Sequence, residues 1–196
     1  MPTAVIDLPL KTDPPRKRWT RAEYESLSEE ALGGERLELV EGELISKMGK
    51  KRPHVNAVTL LQAWLMQAFG VRFVNAEAPI DVAPEDNPSS EPEPDIIVTT
   101  CDLSHFQSNP RPADLRLVAE IADTTLWFDL NTKARLYARA GIAEYWVVDV
   151  SGRRMIVHRD PQDGEYRTVA AYGADERVAP LAAPGSELLV RDVFAD

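Results

Sequence analysis

The chemistry in this chain centres on one lysine in a position where a lysine is costly. Between Asp129 and Ala140 the sequence reads DLNTKARLYARA, followed by Gly141. Asp129 as an N-cap and Gly141 as a left-handed C-cap predict a helix of about three turns. At about 100° per residue, Leu130, Ala134, Leu136, Tyr137 and Ala140 share one broad arc, and Arg135 and Arg139 point away from it. Lys133 falls in the middle of the apolar arc. Burying an ammonium is unfavourable unless an anion pairs with it, so a carboxylate is expected on the sheet beneath. Two short apolar segments each carry one acid: PDIIVT over 94–99 has Asp95, and LRLVAEIA over 115–122 has Glu120. Two carboxylates and an inward lysine on one sheet are the ingredients of a metal-assisted phosphodiester site. The plainer alternatives are an Asp129–Lys133 helix pair, worth only ~0.3–0.5 kcal/mol, and Glu120 as a purely structural partner of Lys133.

These side chains need a sheet with a helix laid across it. Glu144-Tyr145-Trp146-Val147-Val148-Asp149 reads as a strand directly after the helix. Strand, helix and strand in that order imply a crossover onto a mixed sheet. The fold class is therefore α/β in the α+β sense: a central mixed sheet flanked by helices. Upstream, Thr20 to Ala31 predicts a helix with Thr20 and Glu23 as a capping box. Residues 36–40 and 43–46 predict a hairpin about Glu41-Gly42, with Leu37 and Leu39 on the face opposite Glu38. His54 to Phe69 is the longest amphipathic helix, closed by Gly70. Strands are expected at 71–76 and 78–82, then an extended Pro-rich loop, PEDNPSSEPEP. After the core, 153–159 and 165–172 predict a further hairpin. Residues 1–18 form a Pro-rich extended arm, and 19–196 a single domain.

Composition narrows the function classes. Of the 196 residues, 44% are hydrophobic and 28% charged, in the ordinary range for a globular protein. No apolar run reaches the ~20 residues of a membrane span. One cysteine, Cys101, excludes an internal disulfide framework and fits a cytoplasmic setting. With three histidines it also argues against structural zinc. The net charge of −10 disfavours a general nucleic-acid binder, but the charge is uneven. Residues 81–95 hold six acids and no base, whereas Lys47, Lys50, Lys51 and Arg52 form a basic loop just before His54. Lys50, Lys51, Arg52 and His54 are the candidates for phosphate contact; for His54 the alternative is a solvated residue at a helix start.

Taken together, RLELVEGELI, His54 opening a helix, PDIIV, and LVAEIADTTLWFDLNTKARLYARAGIAEYWVVD resemble the Uma-two family over residues 20 to 172. That family is large, mostly bacterial and grouped with the endonucleases. It belongs to the PD-(D/E)XK restriction-endonuclease-like superfamily. The resemblance implies a restriction-endonuclease-like core and a metal-dependent endonuclease acting on nucleic acid, DNA foremost. Asp95 matches the motif aspartate and Glu120 the motif acid. The superfamily lysine two residues on is replaced here by Ala122, and Lys133 on the following helix takes its place. The family's hairpin acid is Glu43 or Glu38. The implied catalytic set is thus Asp95, Glu120 and Lys133. The implied Mg²⁺ shell, which Mn²⁺ could also occupy, is Asp95, Glu120 and Glu43. The superfamily also allows a homodimer. The rival reading is a catalytically silent nuclease-like fold serving as a protein-interaction or assembly module.

Overall fold

A six-stranded sheet, in the order β3-β4-β5-β6-β7-β8, is the platform for everything else in the molecule. The computed structural model describes residues 15–27, 33–47 and 51–195. The sheet consists of β3 (Val74–Ala76), β4 (Ile96–Thr99), β5 (Leu115–Ala122), β6 (Glu144–Asp149), β7 (Arg154–Gln162) and β8 (Glu165–Gly173). Only β5 and β6 run parallel, and every other neighbouring pair is antiparallel. A parallel pair needs a long crossover. Here it is one continuous helix: α3 (Leu126–Phe128), a π turn (Asp129–Lys133) and α4 (Ala134–Arg139).

Period-two alternation divides the sheet's apolar side chains between two layers. One face presents Ile96, Val98, Leu117, Ala119, Ile121, Trp146 and Val148 to the helix α2 (Arg52–Phe69), which packs Ala57, Leu61 and Leu65 against them. The other presents Ile97, Val118, Ala122, Tyr145 and Val147 to Leu136, Tyr137 and Ala138 of α4. Glu120 has the parity of Val118 and Ala122, so it points toward the α3–α4 helix.

A separate two-stranded hairpin, β1 (Leu37–Val40) and β2 (Glu43–Ser46), covers the start of β4. Its two-residue turn places Glu41 at φ 49° and Gly42 at φ 78°, the left-handed pair that hairpin twist favours. A bridge from Leu39 to Glu91 and a hydrogen bond from Gly42 N to Ser89 O dock it on the 81–93 loop.

Several expectations need correction. The first helix, α1 (Arg21–Glu25), does have the Thr20–Glu23 capping box, but it stops at Glu25; positions 28–32 lie outside the described residues. The segment 71–76 divides into a 3₁₀ turn (Val71–Phe73) and the short β3. Residues 78–82 are not a strand: Ile80 N and Asp81 N donate to Pro92 O and Pro110 O, which are loop carbonyls. The Pro-rich loop is not uniformly extended, because Asn87–Ser89 turns as a 3₁₀ helix. α2 starts two residues before His54, since Pro53 suits a first helical turn, where its missing N–H costs nothing. Of the expected N-terminal arm, only residues 15–18 are described, and they have no regular secondary structure. Lys50 also lies outside the described residues.

Candidate active site

The site begins with strand register. Ile96 pairs with Ala119 in the antiparallel β4–β5 ladder. Asp95 lies one residue before that ladder begins, and it lines the same cavity as Glu120 of β5. Two carboxylates close enough to act on each other are unfavourable together, so this pair calls for a cation.

Lys133 is that cation. Its Nζ donates to Glu120 Oε1 at 2.8 Å and lies 2.8 Å from Glu38 Oε1, and its side chain is only 3% exposed. Tyr137, one helical turn on, donates its hydroxyl to the same Glu120 oxygen at 3.0 Å. Glu38 arrives from β1, where its other oxygen accepts the Glu93 N–H at 3.0 Å. Asp95 Oδ2 accepts the backbone N–H of Ile121 at 2.8 Å. Asp129 completes the group: buried, on the wall of the same cavity, it accepts the Thr125 hydroxyl at 2.5 Å.

One helix supplies both Asp129 and Lys133 because residues four apart share a helix face. The π turn that spans the two keeps Asp129 within the helix. Asp129 is therefore not an N-cap. It lies inside the helix, which begins after Thr125, and its carboxylate faces inward beside Lys133. Gly141, at φ +74°, does terminate the helix as expected.

Four buried acids, Glu38, Asp95, Glu120 and Asp129, thus surround one ammonium. Burial pushes the Glu120 carboxyl upward, Lys133 opposes the rise, and Asp95, Asp129 and Glu38 reinforce it. Burial likewise raises Asp129 to about 6, opposed by Lys133 and the Thr125 hydrogen bond. Burial alone would lower Lys133, but the attraction of Glu120, Glu38 and Asp129 outweighs it and raises the group well above the usual lysine value. The lysine therefore keeps its proton, and the surplus of negative charge falls on the carboxylates.

These residues line a cavity of about 250 Å³. At its mouth Lys51 Nζ stands 3.3 Å from Asp123 Oδ2. His54 also faces it: Nε2 is 3.5 Å from Asp95 Oδ2, and Nδ1 is buried with no hydrogen-bond partner among the described residues. It is not the solvated residue that a helix start suggests. Arg52 is exposed and does not line the cavity. Glu43 is the clearest departure from expectation: it is 55% exposed on β2 and faces Arg18 at 3.9 Å, away from the cluster. Glu38 pairs with Ile45 and Glu43 with Val40, so both acids leave the same face of the hairpin; Glu43 misses the cluster because it lies at the turn end, whereas Glu38 and Ile45 reach the cavity. The hairpin acid in the cluster is Glu38.

A divalent cation suits the donor chemistry, which is oxygen-rich and carries excess negative charge. Mg²⁺ is commonly held by one or two carboxylates and retains several waters. Asp95 and Glu120 fit that demand. Among the described residues no three His, Cys, Asp or Glu side chains form a ready-made metal cage, which agrees with Lys133 already engaging Glu38 and Glu120.

The fold belongs to a class with a solved representative. It is similar to the crystal structure of a "putative nuclease belonging to DUF820" from Anabaena variabilis ATCC 29413. The TM-score is 0.67 at 18% identity, over 89% of this chain and 97% of that one. Among curated proteins no sequence matches this chain. A family model described as "Putative restriction endonuclease" matches residues 21–191, and the chain belongs to that family, Uma2. The resemblance read from the sequence is thereby borne out. Among the described residues no helix is long and apolar enough to cross a membrane.

Proposed function

We propose that this chain is a divalent-metal-dependent nuclease that hydrolyses phosphodiester bonds of nucleic acid, DNA foremost. Asp95 and Glu120 hold the metal, and Lys133 stabilises charge. Family membership supports the nuclease reading in general terms. The observation that carries the assignment is the convergence of Asp95 and Glu120 on one cavity, with the Lys133 ammonium 2.8 Å from Glu120.

When bound, the cation supplies polarisation of the phosphodiester and a water of lowered pKa. The chain supplies the rest. Lys133, fixed by Glu38 and Glu120, offers a permanent positive charge to the oxygens that gain charge as the water oxygen adds to phosphorus and a P–O bond breaks. Tyr137 holds the Glu120 carboxylate in place. His54 and Lys51 line the approach for phosphate. Glu38 takes the part that the family pattern left open between Glu38 and Glu43.

The test is cleavage of plasmid and single-stranded DNA on adding Mg²⁺ or Mn²⁺. Asp95→Asn and Lys133→Met are each expected to lower the rate at least ~100-fold, the scale of removing one preorganised electrostatic group. Wild-type rates in both variants would overturn the assignment. A second reading, a catalytically silent assembly module, draws support from the net charge of −10 and from the prior engagement of Lys133 by two acids. Calorimetry separates the two: uptake of Mg²⁺ by the wild type, lost in Asp95→Asn, fits the nuclease alone.

A further inference from the structure

Trp127 is the most exposed large hydrophobic residue described, at 72%, in a molecule that buries Trp146 completely. Its position is what makes that exposure informative. It occupies the first turn of the α3–α4 helix, two residues after Thr125 and directly before Phe128 and Asp129; Thr124, Thr125, Phe128 and Asp129 all line the acidic cavity. The backbone there is held in place: Asn131 Nδ2 donates to the Trp127 carbonyl at 2.8 Å, and Asp129 N donates to Thr125 O at 3.0 Å. A large aromatic plane on a rigid helical turn beside the site, left in solvent, loses apolar burial. Leu126 and Phe128, on either side, do pack against the core.

The charge pattern indicates what the ring contacts. Nucleic-acid affinity usually comes from lysine and arginine neutralising phosphates. Here the lysines at the cavity are already engaged: Lys51 faces Asp123, and Lys47 donates to the Glu93 carbonyl at 2.6 Å. The cavity itself carries surplus acid. Phosphate contact at Lys51 must compete with Asp123 and the acids of the cavity, so it supplies only part of the affinity. Stacking an aromatic side chain on a base supplies affinity that does not depend on phosphate charge, and it requires the base to be out of the duplex stack.

We propose that Trp127 is a stacking platform for an unpaired base adjoining the phosphate that enters the cavity, so that the substrate is single-stranded or locally unpaired there. This rests on the nuclease reading for its ligand class. Binding is therefore measured apart from cleavage, with metal chelated by EDTA. The probes are a fluorescein-labelled single-stranded 12-mer of deoxythymidine and a blunt duplex of the same length. The full chain is expected to bind the single strand more tightly, with quenching of tryptophan fluorescence. Trp127→Ala should weaken single-strand binding roughly ten- to hundredfold, Trp127→Phe should retain most of it, and both should melt like the wild type because the side chain is exposed. Unchanged single-strand affinity in Trp127→Ala overturns the proposal. So does a change of oligomeric state in that variant at unchanged affinity, which would mark a subunit contact. Metal-dependent cleavage that is indifferent to Trp127 sinks the stacking alone, whereas an absence of both binding and cleavage sinks the nuclease reading with it.

Discussion

Two glutamates on adjacent strands are equally hidden and serve opposite ends. Glu144, at the start of β6, is fully buried and fully satisfied. Its Oε1 accepts Arg159 Nε at 2.9 Å, Arg159 Nη2 at 2.6 Å and the Trp146 indole N–H at 2.9 Å, while Oε2 accepts Leu181 N at 2.7 Å. One acid meets one guanidinium, and the remaining valences go to neutral donors. Glu120, on β5, shares one lysine with Glu38 and has Asp95 and Asp129 nearby. The first arrangement closes on itself. The second leaves negative charge over, in a cavity open to a ligand. Burial of an acid is thus no sign of function; what distinguishes a site is a charge balance that the protein alone does not complete.

The contrast can be broken most forcefully at Lys133. Lys133→Met leaves the acids of the cluster buried without their cation and should cost about 3–5 kcal/mol. The sign with pH follows from the direction of the shifts. Glu120 and Asp129 already bind protons more tightly in the folded state than in the unfolded state, and losing the ammonium strengthens that difference. The folded variant is therefore favoured as pH falls through those raised values, so the stability gap to wild type should narrow on acidification. Urea melts at pH 8 and pH 5 measure it; a gap that is constant with pH would refute the charge argument.

At Glu144 the same kind of lesion should behave differently. Glu144→Ala strands Arg159, which is 21% exposed, and should cost about 2–3 kcal/mol. DNA cleavage per folded molecule should be unchanged, because Glu144 does not line the acidic cavity. A specific loss of cleavage would erase the distinction between the two glutamates.

His158 provides the smallest and sharpest comparison, a buried ionisable group without a charged partner. It packs between Tyr145 and Tyr166, with ring centroids at 5.2 and 5.5 Å, and burial lowers it to about 4. Between that value and the unfolded histidine's ~6.5, the unfolded chain binds a proton that the native chain refuses. Stability should therefore fall as pH drops through this window, by about 2 kcal/mol at pH 4.5 relative to pH 7. His158→Phe should remove that component, which comparison of its denaturation curves with wild type at the two pH values will detect.

Much of this was readable in the sequence wherever one local rule decided the outcome. Lys133 stood out because a helical wheel of ordinary pitch placed it among Leu136 and Tyr137, and Glu120 because it interrupts an apolar strand. The Glu41-Gly42 hairpin and the Gly141 stop followed from turn chemistry. Asp129 was misread because an aspartate just before an apolar-periodic run looks like an N-cap, and a π turn leaves no periodic trace. The available hint was Leu126 and Phe128, apolar residues that place the helix start at Thr125. The choice between Glu38 and Glu43 was beyond any local rule: strand pairing puts both on one face of the hairpin, and only the docked position of the hairpin decides which end of that face lies over the cluster. Residues 78–82 alternate like a strand, yet their N–H groups find loop carbonyls before any ladder partner. Trp127 was absent from the expected site because exposure is a property of the assembled surface.

The widened turn at Asp129–Lys133 has a consequence for how this helix tolerates change in length. A turn holding one residue more than its neighbours bears the footprint of an insertion. Deleting a residue between Asp129 and Lys133 would return the turn to ordinary pitch and leave the segments on either side nearly in register, because the widened ring absorbs the extra residue within one revolution. The two side chains would then stand three positions apart, about 60° round the axis, so the spacing inside the centre would change while the rest of the helix kept its seat.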